Sequence, residues 1–221
     1  MKIIIATATE LEIAPLLHHL DEGGHKKNFF EYIINEHSIF PVTTGIGSTK
    51  MAFGLATYPS IKEISLVINV GLAGSFKEEI SPGQVVEVYK DCLADLGSEE
   101  QDGSITSVYQ MNLENKDQFP FSDGWLINDK SKIGTGLNKV SSLSVNMVSG
   151  SKSTIDKRTG LADLETMEGF GLAYACKCLD IPYIQIRGVS NYVEPRNRAN
   201  WKIHEAVEAS NAVLLKLLQS F

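Results

Sequence analysis

The sequence predicts a single α/β domain in which a central mixed sheet is flanked by helices. Three observations point there. Apolar runs of strand length alternate with segments of helical periodicity from end to end. No linker-like stretch and no internal repeat divides the chain. The 221 residues, 43% of them hydrophobic, suffice for one substantial core.

The elements follow in order. Lys2–Ala6 is a short apolar run suited to a buried strand, and Glu10–Leu20 carries Leu11, Ile13, Leu16, Leu17 and Leu20 near helical spacing. Phe29–Ile34 and Ser38–Thr44 read as paired strands. Gly45-Ile46-Gly47-Ser48 leads into a small-residue helix that runs to about Tyr58, with Ser48 as its cap. Ser65–Val70 is the clearest central strand, and Gly71–Ser75 is expected to turn sharply off its carboxyl end. Gln84–Lys90 follows the Pro82-Gly83 turn as another strand. From Ala94 to about Lys132 the chain is polar, and loops with short hairpins are expected. Strands are expected again at Ser144–Val148, Asp163–Thr166 and Pro182–Val189. Helices are expected at Glu168–Leu179 and at about Ala199–Gln219, the latter with Ile203, Val207, Leu214 and Leu217 on one face.

Several function classes are disfavoured. A formal net charge of −7 argues against a surface that coats nucleic acid or anionic membranes. No apolar run approaches the ~20 residues that span a bilayer, and Glu10 and Glu12 interrupt the amino-terminal run too early for a signal peptide. Cys92, Cys176 and Cys178 lack the spacing of a disulfide scaffold or a zinc site, so a reducing, cytoplasmic setting is expected. The five histidines show no metal-ligand spacing, and neither a metal nor a cofactor is expected. Gly45-Ile46-Gly47 lacks the third glycine of a dinucleotide fold, since Lys50 stands there. Ser149–Thr154 has no glycine directly before Lys152, and Gly-x-Ser-x-Gly is absent.

Ligands of open α/β sheets bind beyond the carboxyl ends of the strands. Thr7–Glu12, Gly45–Lys50, Gly71–Ser75 and Arg187–Asn191 occupy such ends. Taken alone, Glu12 reads as an exposed helix glutamate, and Glu168 as a first-turn glutamate favoured by the helix dipole. Arg187 differs, because an arginine inside an apolar strand needs a partner or a ligand.

Thr166-Met167-Glu168-Gly169, followed by Tyr183-Ile184-Gln185-Ile186-Arg187-Gly188-Val189-Ser190-Asn191, resembles the nucleoside phosphorylase/nucleosidase family. The segment Ile4–Glu12 and Asn69-Val70-Gly71-Leu72-Ala73-Gly74-Ser75 fit the same family in the same order. Within it, Ala94–Glu99 and Ser190–Trp201 resemble a branch that hydrolyses a hypoxanthine nucleoside. The resemblance implies a nucleoside phosphorylase-like fold and cleavage of an N-glycosidic bond. It implies Glu12 as the general base that activates water, Glu168 on the ribose hydroxyls, Met167 against the sugar face, and Arg187 orienting water and carboxylates. Leu72, Ala73 and Gly74 would line the sugar–water region, and a turn near Ser153 and Thr154 would contact the base. Asn191 stands where nucleosidases of adenine nucleosides carry an aspartate acid. Phosphorylases of this fold use an early arginine on phosphate, whereas the first arginine here is Arg158, so water is the expected nucleophile. The implied partner is a small purine nucleoside, with no nucleic acid or membrane, and the implied assembly is a homo-oligomer, a dimer or larger. An adenine-type nucleosidase, a phosphorylase and a non-catalytic nucleoside-binding module are the competing readings.

Overall fold

The computed structural model describes Met1–Phe221 as one α/β unit. Its strands are β1 (Lys2–Thr7), β2 (Lys26–Asn28), β3 (Glu31–Ile34), β4 (His37–Thr43), β5 (Leu66–Ser75), β6 (Val85–Leu93), β7 (Gly97–Glu99), β8 (Ile105–Ser107), β9 (Leu126–Ile127), β10 (Lys139–Ser144), β11 (Leu164–Thr166) and β12 (Tyr183–Tyr192). Its helices are α1 (Ala14–Glu22), α2 (Ser48–Ala56), α3 (Lys152–Arg158), α4 (Gly169–Cys178) and α5 (Ile203–Gln219). Ten strands form one mixed sheet in the order β11-β10-β6-β12-β5-β1-β4-β3-β2, with β9 on β6. β11 also pairs antiparallel with β5, which closes one half of the sheet on itself. β7 and β8 make a separate hairpin.

Strand alternation explains the layers. Ile3 and Ile5 of β1 face α1 and α5, joining Ile13, Leu16 and Leu214 in one core. Ile4 and Ala6 face the other way, toward Met51 and Leu55 of α2 and Leu172 of α4. The closed half holds a third core with Val86, Val88 and Val140. α2 and α4 cross in backbone contact: a Cβ on Gly171 would lie 2.1 Å from the Ser48 carbonyl oxygen. Cys92, Cys176 and Cys178 are free thiols. No helix is long and apolar enough to cross a membrane.

Seven expectations are corrected. Gly71–Ser75 continues β5 instead of turning, because β12 and β11 pair with it as far as Ser75. β12 likewise runs on to Tyr192, with an irregularity between Val189 and Asn191 that leaves Ser190 unpaired with β5. The strand expected at Ser144–Val148 is Lys139–Ser144, because the Asp95 carboxylate takes the Asn146 N–H at 2.8 Å and removes it from the ladder. Phe29 and Phe30 are an exposed turn between β2 and β3, their ring packing being with each other. The helix expected from Glu10 begins at Ala14, after a separate 3-10 turn at Glu10–Glu12, and the one expected from about Ala199 begins at Ile203. Ser48 does not cap α2: Gly47 holds the cap position, and the Ser48 hydroxyl is taken by the Met167 carbonyl.

Candidate active site

The chain leaves β1 through Ala8 and Thr9 and winds at once into the Glu10–Glu12 turn, which folds Glu12 back over the strand end. Its Oε2 accepts from the Ala8 N–H at 3.1 Å, the Thr9 N–H at 2.9 Å and the Thr9 hydroxyl at 3.1 Å. Its Oε1 accepts from the Leu72 N–H on β5 at 3.2 Å. Asn211 of α5 donates to the Glu12 carbonyl at 2.8 Å and accepts from the Leu16 N–H at 3.3 Å, so the turn is clamped from behind. Glu12 is therefore buried at 8% exposure, not the solvated helix glutamate its local sequence suggests. Oε1 takes a single bond and keeps accepting capacity for a water.

Arg187 lies in the centre of β12, 1% exposed. Nη2 donates to Asn69 Oδ1 on β5, and Asn69 in turn donates to the Ala6 carbonyl at 2.8 Å, tying three neighbouring strands together. Nη1 donates to the Ile186 carbonyl at 3.3 Å, while Nε has no partner. Burial pushes the guanidinium pKa down, and the Glu168, Glu12 and Asp91 charges oppose that shift. A Cβ built on Gly71 would stand 2.9 Å from Glu12 Oε1 and 3.0 Å from Arg187 Nη1, so acid and base converge where β5 carries no side chain.

Glu168 precedes α4, and its Oε1 accepts from the Gly47 N–H at 2.9 Å. Burial raises its pKa, opposed by the Arg187 charge and the Gly47 N–H and reinforced by Glu12. Beside it the Met167 carbonyl accepts from the Ser48 hydroxyl at 2.9 Å, and the Met167 side chain is half-buried. Two buried carboxylates around one guanidinium can stabilise positive charge that grows on a sugar.

Asn191 stands opposite Gly74 at the far end of β12. Ser190 Oγ donates to Asn191 Oδ1 at 2.7 Å, with the Ala73 carbonyl at 3.2 Å as its alternative acceptor. Asn191 Nδ2 donates to the Tyr192 carbonyl at 2.8 Å. Reversing the amide would set Oδ1 against that carbonyl, so Tyr192 fixes which end is the donor. The second N–H of Nδ2 is left for a ligand.

Glu12, Leu72, Arg187 and Asn69 thus gather where β1 ends beside the middle of β5 and β12. Glu168, Met167 and Gly47 come together across the α2–α4 crossing, and Ala73, Gly74 and Asn191 share the rim of β5 and β12. Ser153 and Thr154 differ from the expected turn: they lie in the first turn of α3, where the Thr154 N–H donates to Ser151 Oγ at 3.2 Å.

Sequence reasoning misses four polar supports: Asn69, Asn211, Arg158 and Asp91. Arg158 ends α3, where no helix is expected from the sequence, and it is buried and donates to Glu165 Oε1 at 2.9 Å and the Met147 carbonyl at 2.9 Å. Asp91 lies one residue beyond the strand expected at Gln84–Lys90. It is buried, receives Gln185 Nε2 at 3.3 Å, and leaves Oδ1 without a partner. Burial pushes its pKa up to about 6, against side-chain hydrogen bonds and the Arg187 charge. A carboxyl raised from about 3.9 in the unfolded chain stabilises the fold fully below that value, and the contribution is lost as pH climbs through the folded pKa. The difference between the folded and unfolded values corresponds to about 3 kcal/mol. Asp91→Asn is therefore expected to raise the melting temperature at pH 7, with the gain vanishing near pH 4. Parallel melting curves for the two proteins across that range would disprove the ionisation cost.

Comparison with known proteins shows the family. The model of the phosphorylase superfamily matches residues 2–123. The chain is 30% identical to the futalosine hydrolase of Thermus thermophilus over 180 residues, which is 79% of each chain. It is 25% identical to a 5′-methylthioadenosine/S-adenosylhomocysteine nucleosidase of Buchnera aphidicola over 236 residues, covering 99% of this chain and 90% of that one. Among solved structures, the futalosine hydrolase of Helicobacter pylori superposes with a TM-score of 0.81 at 16% identity, covering 100% of this chain and 98% of that one. This last likeness is one of fold.

Proposed function

This chain belongs to the phosphorylase superfamily, and we propose that within it the protein hydrolyses the N-glycosidic bond of futalosine, releasing hypoxanthine and the base-free sugar product for menaquinone synthesis. The observation that carries the reading is the Asn191 amide, held with one N–H free at the rim beside Gly74. Hypoxanthine offers an acceptor at O6, where adenine has an amino donor, and that N–H can serve it without any particular pH. Bond cleavage builds positive charge on the ribose and negative charge on the departing base. Glu12 Oε1 takes the proton of the attacking water, Arg187 holds that water and the carboxylates in place, and Glu168 grips the ribose hydroxyls with Met167 against the sugar face. Leu72, Ala73 and Gly74 line the sugar side. Ser153 and Thr154, in the first turn of α3, are kept as base contacts through their backbone, with the Ser153 N–H as the donor because that of Thr154 bonds Ser151 Oγ. The reaction so written needs no metal and no cofactor.

Incubation with futalosine in phosphate-free buffer tests this reading. Free hypoxanthine and free sugar are expected, at a rate unchanged by added phosphate. A sugar-1-phosphate product would reverse it in favour of a phosphorylase. The near full-length match to the Buchnera nucleosidase favours adenine-type nucleosides as the second reading, and the same assay with methylthioadenosine distinguishes the two.

Assembly and location belong to the same proposal. Leu11 and Ile46 stand exposed next to Glu12 and Gly47, and Phe53 stands exposed further along α2. A second copy covering them would close the 5′ end of the pocket. Light scattering at micromolar concentration is expected to give a dimer or larger species, and a 24.3 kDa particle would remove the idea. Free Cys92, Cys176 and Cys178 suit the reducing cytoplasm.

A further inference from the structure

Two residues flank Gly74 in the sheet: Glu165 of β11 stands opposite it on one side and Asn191 of β12 on the other. Ala73 and Leu164 face the third core, so their chain neighbours Gly74 and Glu165 face the other way. Asn191 faces that way too, because its Nδ2 lies 3.4 Å from the point where a Gly74 Cβ would stand. The glycine therefore leaves a gap with a side chain on either side of it. Asn191 is the proposed donor to the base on one side. On the other, Glu165 is buried and holds the segment that follows β10. Its Oε2 accepts from the Ser149 N–H at 2.8 Å, and its Oε1 accepts from the Ser149 hydroxyl at 2.6 Å. Arg158 Nη1 donates to Glu165 Oε1 at 2.9 Å, to the Met147 carbonyl at 2.9 Å and to Ser149 Oγ at 3.1 Å. Asp95, 3.8 Å from Arg158 Nη2, accepts from the Asn146 N–H at 2.8 Å and from Asn146 Nδ2 at 3.2 Å.

Three charged side chains, one following β6, one ending α3 and one within β11, thus hold the backbone of Asn146, Met147 and Ser149, which lies outside every strand. The side chains of Met147 and Val148 are exposed, so their packing does not anchor the segment. Taking an ion pair out of water costs about as much as the pair returns, and apolar side chains of similar volume often serve stability equally well. What such a pair supplies is a fixed geometry, here a segment tied to one side of the Gly74 gap. We propose that Arg158 and Glu165, with Asp95 behind them, are positioning residues for the purine end of the site, holding Met147–Ser149 across Gly74 from Asn191. The inference rests on the hydrolase reading and deepens it.

The double variant Arg158→Met, Glu165→Gln tests this. It removes both charges together, so neither is left buried alone, and its glutamine can still accept from the Ser149 N–H. Product inhibition of futalosine hydrolysis reads the two ends of the site separately. The inhibition constant of hypoxanthine is expected to rise roughly 10- to 100-fold, the share of charge-assisted hydrogen bonds, while that of the base-free sugar product stays at its native value. Arg158→Lys, which keeps a cation on Glu165, is expected to fall between the native protein and the double variant. Should the double variant not fold, Ser149→Ala keeps both charges and is expected to raise the hypoxanthine constant about 3- to 10-fold, again without moving the sugar constant. Equal rises in the two constants would mark a general loss of order, and unchanged constants a clamp that positions nothing. Either result overturns the positioning role while the native protein's hydrolysis of futalosine stands. If the native protein does not hydrolyse futalosine, the hydrolase reading fails. Calorimetric binding of the same two compounds to native and variant proteins then decides the clamp by the same comparison, and no binding of hypoxanthine to the native protein overturns it.

Discussion

Replacing Glu12 with glutamine is expected to lower kcat by about 10²–10⁴-fold, the usual share of a positioned base. The geometry says more than the loss of a proton acceptor. Three donors, from Ala8 N–H, Thr9 N–H and the Thr9 hydroxyl, meet Oε2, so a glutamine must place its carbonyl oxygen there. Its amide nitrogen then faces the Leu72 N–H, donor against donor, where Oε1 now accepts. That mismatch costs about 1–3 kcal/mol of stability, and the assay belongs below the variant's melting temperature, with circular dichroism confirming the fold. Because Glu168 and Met167 are untouched, KM should move far less than kcat. Near-native turnover by a folded Glu12→Gln protein would show that water is activated elsewhere.

The second large effect concerns the base. Asn191 offers one free N–H donor, which suits the O6 acceptor of hypoxanthine, whereas the 6-amino group of an adenine-type nucleoside meets it donor to donor; N7 accepts in both bases and does not distinguish them. A mismatched buried polar pair costs about 1–3 kcal/mol, so futalosine should exceed aminodeoxyfutalosine and methylthioadenosine in kcat/KM by roughly 10- to 100-fold. Asn191→Asp should narrow or reverse this. One oxygen of the new carboxyl would accept from Ser190 Oγ, and the other would face the Tyr192 carbonyl across the present 2.8 Å contact. Only a protonated carboxyl satisfies that carbonyl, so its pKa is expected to rise. Activity of the variant on 6-amino nucleosides should then grow as pH falls, while that of the native protein on futalosine should not follow the same curve. Equal kcat/KM for the two bases in the native protein would show that Asn191 does not read the base.

Some of this site can be read along the chain and some cannot. Arg187 stands out because a charge amid Ile184, Ile186 and Val189 has no other reason to be there. Glu12 does not, since its neighbours are those of an ordinary helix start. Its burial depends on Leu72 and on Asn211, 199 residues away in sequence. Gly71–Ser75 misleads for a related reason. Glycines after a strand suggest a turn, but Gly71 serves to let Arg187 and Glu12 approach the backbone. The sheet is legible from the apolar runs of β1, β5 and β12, whereas its closure through β11 rests on two residue pairs that no periodicity encodes. Arg158 and Asp91 are hidden because the first lies in a helix that the sequence does not predict and the second reads as a strand-end polar residue, while both answer to partners on other elements.

The crossing of α2 and α4 has a bearing on how the site opens. Gly171 lets the two backbones touch at Ser48, and the residues on either side of that contact are those proposed to grip the sugar: Gly47 bonds Glu168, and Ser48 bonds Met167. The crossing works as a caliper whose jaws are main chain, with no rotamer able to widen them. Substituting alanine for a helix glycine ordinarily adds stability, but at this position it would prise the caliper open and separate Gly47 from Glu168. By the same geometry, any widening of the ribose end to admit a nucleoside must carry α2 and the Gly45–Gly47 segment together as one rigid piece.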